Sequence, residues 1–174
     1  MSQDSRASEL ARAGFELWEA GRLDEAVGLY QRALQVADPD HYEWPDIHAQ
    51  LAGVLATLGR DDEARDEYRA SLAVSLHDDR EGSGSAVAVA RYFLGDHLLK
   101  MGEPAQALEV VLQATGVAAR QGWLLAVIEA RALHALGREA EAMVAAERAV
   151  ECAPDHKAEE LRQELSSILA ERLP

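Results

Sequence analysis

A glycine-centred octapeptide occurs four times along this chain of 174 residues. The copies read EAGRLDEA (19–26), TLGRDDEA (57–64), KMGEPAQA (100–107) and ALGREAEA (135–142). Glycine adopts the left-handed backbone conformation that ends a helix without steric cost. Acidic residues follow the glycines, where they complement the positive end of a new helix. The repeat therefore predicts four helical hairpins, each turning at a glycine.

The residues around the four glycines recur in one register. A leucine lies four positions before each glycine, and a small residue lies seven before it. An alanine lies five positions after each glycine, and another small residue lies twelve after it. The spacings place each pair on one helical face and allow two helices to cross closely. The sets are Gly14, Leu17, Ala26 and Ala33; Ala52, Leu55, Ala64 and Ser71; Gly95, Leu98, Ala107 and Ala114; and Ala130, Leu133, Ala142 and Ala149.

The composition agrees with closely packed helices and limits the partners. Hydrophobic residues make up 48% of the chain and aromatic residues only 5%, so the core consists of Ala, Leu and Val. The formal net charge of −14 argues against nucleic acid and anionic membranes, and it leaves basic proteins as partners. The single cysteine, Cys152, indicates a reduced compartment. With no apolar signal or membrane-spanning run in the sequence, we expect a cytoplasmic protein.

The pattern resembles the tetratricopeptide repeat, from about residue 7 to 154. The resemblance implies an all-α fold, a right-handed superhelical solenoid of antiparallel helix pairs with about nine helices in a single domain, 1–174. We expect repeats at approximately 7–40, 45–78, 88–121 and 123–154. The expected helix pairs are 5–20 with 23–37, 45–58 with 61–77, 85–101 with 104–119, and 123–136 with 139–152. A last helix, 155–173, carries an apolar stripe and should cap the exposed end of the solenoid.

Solenoids of this family present a concave groove lined by the first helix of each pair. Carried onto this chain, the family's groove positions predict that Tyr92 anchors a partner while Asp96 and Arg131 orient it. Phe93 also falls on a groove position. The predicted partner-binding residues are Arg12, Phe15, Trp18, Gln50, Tyr92, Asp96, Lys100, Arg131 and His134. The carboxylate clamp of one branch of the family is missing, because its positions hold Ala11, Phe15, Gln50, Val89 and Phe93.

Catalytic and metal-binding interpretations have little support in the sequence. Asp40, His41, Glu43, Asp46 and His48 cluster in one connection, but they lack the helical spacing of ligands in helical proteins. Cys152 occupies a position that the family fills with a buried apolar residue, so we expect a buried thiol and not a nucleophile. We therefore predict no enzyme activity, no metal and no cofactor.

Three functions remain open from the sequence. The first is a non-catalytic interaction module that binds a peptide or partner protein in its groove. The second is an acidic immunity protein or inhibitor of a basic toxin or enzyme, and the third is a secretion chaperone. The expected partner is a protein or a peptide, and the net charge leaves room for a basic one. We expect the chain to be a monomer or a weak homodimer.

Overall fold

The computed structural model describes residues 3–38, 44–79, 84–114 and 122–170. Within these ranges the regular structure is entirely helical, as predicted from the composition and the repeat. The ten helices of the described residues are α1 (Gln3–Glu19), α2 (Leu23–Val36), α3 (Trp44–Thr57), α4 (Asp61–Asp78), α5 (Ser85–Lys100), α6 (Pro104–Leu112), α7 (Gly122–Ala135), α8 (Glu139–Cys152), α9 (Asp155–Glu164) and α10 (Ser166–Ala170).

The helices form two compact units, Met1–Asp78 and Asp79–Pro174, here called the first unit and the second unit. In the first unit, α1 pairs with α2 and α3 pairs with α4, and α2 packs against α3. In the second unit, α5 pairs with α6 and α7 pairs with α8, while α9 and α10 pack against α8.

All four repeat glycines have the predicted left-handed conformation. Their φ angles are +74° at Gly21, +73° at Gly59, +74° at Gly102 and +72° at Gly137. The residue after each glycine donates its backbone N–H to the carbonyl of the repeat leucine at 2.9 Å, as Arg22 does to Leu17. This hydrogen bond satisfies a carbonyl that the helix end would otherwise leave unpaired. The repeat leucine therefore has a backbone role as well as a packing role.

The small residues of the repeat lie where the helices cross. The alanine five positions after the glycine is fully buried in all four hairpins. At Gly14, an added Cβ would lie 3.2 Å from the ring of Tyr30, and at Gly95 it would lie 2.7 Å from Cγ2 of Ile128. The helices thus approach closely enough that even a methyl group meets a neighbour at these positions.

The helix α6 is shorter than predicted. It ends at Leu112 instead of residue 119, so the repeat alanine Ala114 lies beyond the helix and is only partly buried. Thr and Gly follow Ala114, and both have low helix propensity. The buried guanidinium of Arg91 donates from Nη1 to the Val110 carbonyl at 2.5 Å, which stabilises the helix end at this point. Residues 115–121 of the predicted third repeat lie outside the described residues.

The predicted capping helix is divided in two. It breaks at Leu165, between α9 and α10, which accounts for ten helices in the described part of the chain against about nine predicted. Three residues of its apolar stripe, Leu161, Leu165 and Ile168, are each at most 4% exposed, and Ala158 and Leu169 are partly buried. Residues 171–173 of the predicted cap lie outside the described residues.

Candidate partner-binding grooves

The first unit has a groove of about 460 Å³ between α1 and α3, here called the first-unit groove. Three predicted site residues, Arg12, Phe15 and Gln50, lie on its surface. The ring of Phe15 is 43% exposed. Arg12 forms a 3.5 Å ion pair with Glu16 one helical turn along. The full lining is Ser8, Glu9, Ala11, Arg12, Phe15, Asp46, Ile47 and Gln50.

Trp18 lies in the packing of the first unit and does not line this groove. Its indole contacts the backbone of α3 at Gly53, where an added Cβ would lie 2.9 Å from Cη2. The indole also supports the ring of Phe15 in an edge-to-face contact, with ring centroids 6.2 Å apart. Trp18 thus lies among the packed helices and positions the groove residue Phe15.

The second unit has a groove of about 630 Å³, here called the second-unit groove. The structure brings five predicted site residues together on its surface: Tyr92, Asp96, Lys100, Arg131 and His134. Residues of α5 lie one helical turn apart on one wall, and residues of α7 lie opposite them. Phe93 lies next to this groove, 41% exposed, with its ring 5.5 Å from that of Tyr92.

The charges of the second-unit groove are paired with one another. Arg131 donates from Nη1 to Oδ1 of Asp96 at 2.8 Å, and Nζ of Lys100 lies 2.7 Å from Oδ2 of the same carboxylate. The Asp96 side chain is only 18% exposed. Asp96 and Arg131, which are predicted to orient a partner, thus each already have an internal partner in the free protein.

Burial and neighbouring charges change two pKa values in the second-unit groove. Burial alone would raise the pKa of Asp96, but the hydrogen bonds and positive charges of Lys100 and Arg131 outweigh it and lower that pKa. Burial raises the pKa of Tyr92, and the negative charges of Asp96 and Glu164 raise it further. Tyr92 is therefore a neutral hydrogen-bonding side chain near two carboxylates at neutral pH.

The cap contributes a wall to the second-unit groove that the sequence did not predict. Glu164 ends α9, and Leu165, Ser167 and Ile168 follow it along the same wall. Nη1 of Arg131 also lies 4.0 Å from Oε1 of Glu164. The apolar stripe of the cap predicts contact between the cap and the last hairpin. It does not predict that Glu164, a polar residue next to the stripe, reaches the groove.

A further surface of the second unit carries two exposed apolar side chains. Leu112 and Val144 are 58% and 59% exposed, and both border a depression of about 260 Å³ among α6, α7 and α8. Ion pairs join Arg138 to Glu141 and Arg148 to Glu129 at its edges. No sequence pattern predicted this surface.

The structure corrects the prediction for Cys152, whose side chain is exposed and not buried. Cys152 is the last residue of α8, and it lies past the buried stripe that ends with Ala149. The position of a residue in the repeat thus predicts its burial within the helix but not at the last residue of the helix.

The candidate metal ligands of the first long connection lie only in part among the described residues. Asp40, His41 and Glu43 lie outside the described residues. Among the residues that are described, no group of three or more His, Cys, Asp or Glu side chains is arranged to hold a metal ion. Nδ1 of His48 lies 2.6 Å from Oε2 of Glu67. No helix in the described ranges combines the length and hydrophobicity that crossing a bilayer requires.

Comparison with known proteins identifies the family. The tetratricopeptide-repeat family model matches residues 12–85 and 92–157, which together make up most of the chain. The protein therefore belongs to the tetratricopeptide-repeat family. No relative is found among curated protein sequences.

Solved structures agree with this fold at low sequence identity. MamA from Desulfovibrio magneticus RS-1 is 19% identical with a TM-score of 0.69, over 95% of this chain and 84% of that one. A putative kinesin light chain with TPR-like repeats from Podosopora anserina is 18% identical with a TM-score of 0.69, over 99% and 100%. YrrB, described as a TPR protein with an unusual peptide-binding site, is 17% identical with a TM-score of 0.62, over 92% and 75%. As a member of this family, the chain has the architecture of a protein-interaction module.

Proposed function

We propose that this protein is a non-catalytic interaction module whose second-unit groove binds a peptide or a segment of a partner protein. The observation that carries the proposal is the groove itself, about 630 Å³ in volume, with a half-buried tyrosine between charged side chains. A tyrosine in this setting offers a large contact area with few torsions to immobilise on binding. The peptide-binding site described for YrrB supports the same use of a repeat surface.

A second candidate function is that of an inhibitor that covers a basic toxin or enzyme. The net charge of −14 favours it, and residues 1–78 contain 16 acidic against seven basic side chains, a net charge of −9. Such a field accelerates encounter with a basic partner at low salt. Inhibition of the partner's own activity would distinguish this candidate from an adaptor.

The test begins with affinity purification of the partner and its identification by mass spectrometry. Titration calorimetry then compares the wild type with Tyr92→Ala and with Phe15→Ala, which removes the exposed ring of the first-unit groove. We expect Tyr92→Ala to weaken binding at least tenfold, or about 1.4 kcal/mol, and Phe15→Ala to leave it near the wild-type value. Thermal melting of each variant checks that the fold is kept.

Two outcomes would contradict the proposal. Loss of binding only in Phe15→Ala would move the site to the first-unit groove. Normal binding by both variants would exclude both rings as anchors of the partner. The next candidate site would then be the apolar surface around Leu112 and Val144. Arg131→Glu is a poor substitute for Tyr92→Ala, because it places a third carboxylate beside Asp96 and Glu164.

A further inference from the structure

We propose that the second-unit groove selects a partner segment by a lysine or arginine side chain, which pairs with Glu164 beside the ring of Tyr92. This inference rests on the proposed function, because it names the chemistry that the groove recognises. Some charged groups of the groove already form ion pairs with one another, and one carboxylate can still accept hydrogen bonds. The proposal follows from this difference.

The cations of the groove are committed to Asp96. Arg131 binds one oxygen of that carboxylate at 2.8 Å and Lys100 binds the other at 2.7 Å. An acidic ligand would have to share these cations with a largely buried carboxylate, because the remaining N–H donors of Arg131 and Lys100 belong to groups that already pair with Asp96. Weakening the charged partners of a buried group is costly, so an acidic ligand gains less from these cations than it would from unpaired ones.

Glu164 is the groove carboxylate that can still accept hydrogen bonds. Its side chain is 45% exposed, and its nearest cation among the described residues is Arg131, at 4.0 Å. At that distance the carboxylate is attracted but not hydrogen-bonded, so its oxygens remain able to accept bonds from a ligand. An incoming ammonium or guanidinium group can form charge-assisted hydrogen bonds there without breaking an internal one.

The ring of Tyr92 provides a second interaction with the incoming cation. It lines the same groove as Glu164, and its phenol is close enough to respond to the charge of that carboxylate. An aromatic face beside a carboxylate attracts a cation through both groups. The surrounding field acts in the same direction, because residues 79–174 contain 15 acidic against ten basic side chains.

The probe is a library of random peptides displayed on phage and selected on the full-length protein. Peptides that bind the wild type but not Tyr92→Ala define ligands of the groove. We expect these ligands to be enriched in Lys or Arg at one position. One enriched peptide, fluorescently labelled, is then titrated against the wild type, Glu164→Gln and Glu147→Gln. Glu147 is an exposed carboxylate of α8 outside the groove lining.

We expect Glu164→Gln to weaken this peptide about tenfold and Glu147→Gln to leave its affinity unchanged. A second peptide, in which glutamine replaces the basic residue, should bind the wild type about tenfold more weakly and lose nothing further with Glu164→Gln. This double-mutant cycle assigns the loss to the pair itself and not to a distorted groove. Glu164→Lys with a glutamate at the peptide's basic position should restore part of the affinity.

Different results would contradict the inference about a basic residue and the proposed function of the groove. Ligands that depend on Tyr92 but lack an enriched basic residue, or that bind Glu164→Gln as well as the wild type, would overturn the inference and leave the groove as the binding site. A selection that yields no Tyr92-dependent ligand would overturn both the inference and the proposed function.

Discussion

The first-unit and second-unit grooves are built from the same repeat but differ in how their walls are made. The first is lined by α1 and α3, with an exposed phenylalanine whose neighbouring charge, Arg12, pairs within its own helix. The second is lined by α5 and α7, and the cap adds a wall that includes Glu164. In the second groove, Asp96 and Arg131 also join two helices through a largely buried ion pair.

The difference shows how a repeat fold gains a specific site. The repeat supplies two helix faces at a fixed spacing, and this suffices for a groove. A cap closes the apolar end of the last hairpin, and here its polar residues also become part of the groove. We therefore expect changes to the cap and to the Asp96 pair to affect the second unit most strongly.

The largest effect should come from deleting residues 155–174. The deletion removes Leu161, Leu165 and Ile168, all buried, and burial of one such side chain contributes about 1.5–3 kcal/mol. We expect a loss of roughly 5 kcal/mol in the free energy of unfolding of the second unit, together with concentration-dependent association. Urea denaturation and sedimentation velocity measure the two effects. An unchanged midpoint and a monomeric variant would show that the cap does not stabilise the fold.

A smaller effect is expected at Gly95, the small residue seven positions before the turn glycine Gly102, where an added methyl would meet Ile128 at 2.7 Å. Gly95→Ala should lower the free energy of unfolding by about 1–3 kcal/mol, because Ile128 is fully buried and cannot move aside without repacking. The matched variant is Gly14→Ala in the first unit, where the nearest atom is 3.2 Å away. It should stay within about 1 kcal/mol of the wild type, since the gain in helix propensity offsets the tighter contact.

Equal losses from the two glycine variants would contradict this ordering. They would mean that Ile128 adapts as readily as the ring of Tyr30, and that the two units are packed equally tightly at this repeat position. Urea denaturation of both variants under identical conditions makes the comparison.

The Asp96 pair should contribute stability that depends on pH. We expect Asp96→Asn to lower the free energy of unfolding by about 1–2 kcal/mol at neutral pH, because two charge-assisted hydrogen bonds are weakened and both cations are partly exposed. The pKa of Asp96 is lowered in the folded state from its usual 3.8. The contribution is therefore present above about pH 3.8 and is lost as the pH falls through the lowered folded value.

Denaturation of wild type and Asp96→Asn between neutral pH and pH 3 should give two curves whose difference shrinks below about pH 3.8. Glu9→Gln, an exposed carboxylate in the lining of the first-unit groove, is the matched control and should follow the wild type throughout. Curves for Asp96→Asn that stay parallel down to pH 3 would show that the pair contributes no linked stability.

The smallest effect should come from the ion pairs that follow the turn glycines. Arg60 donates to Glu63 in the first unit, and Arg138 donates to Glu141 in the second. All four side chains are exposed to solvent, which screens such pairs. Arg60→Ala and Arg138→Ala should therefore leave the urea midpoint close to that of the wild type in both units. A clear drop in either would show that the turn depends on the arginine and not on its glycine.

The sequence alone determined the hairpins and most of their boundaries. Each turn depends on a single glycine and on a leucine four residues earlier, and both act through backbone geometry that is local in the chain. The spacing of Tyr92, Asp96 and Lys100 along α5 also placed them on one helical face, because side chains four residues apart share a face. Short-range rules were sufficient for these features.

The tertiary structure decided what the residues of the groove do. Asp96 and Arg131 are 35 residues apart in sequence, and their 2.8 Å hydrogen bond depends on the distance between two packed helices, which no local pattern specifies. The same holds for the position of Glu164 at the groove, for the end of α6 beside the buried guanidinium of Arg91, and for the exposure of Cys152. Packing fixes these positions to within an ångström, whereas sequence periodicity specifies only the face of a helix.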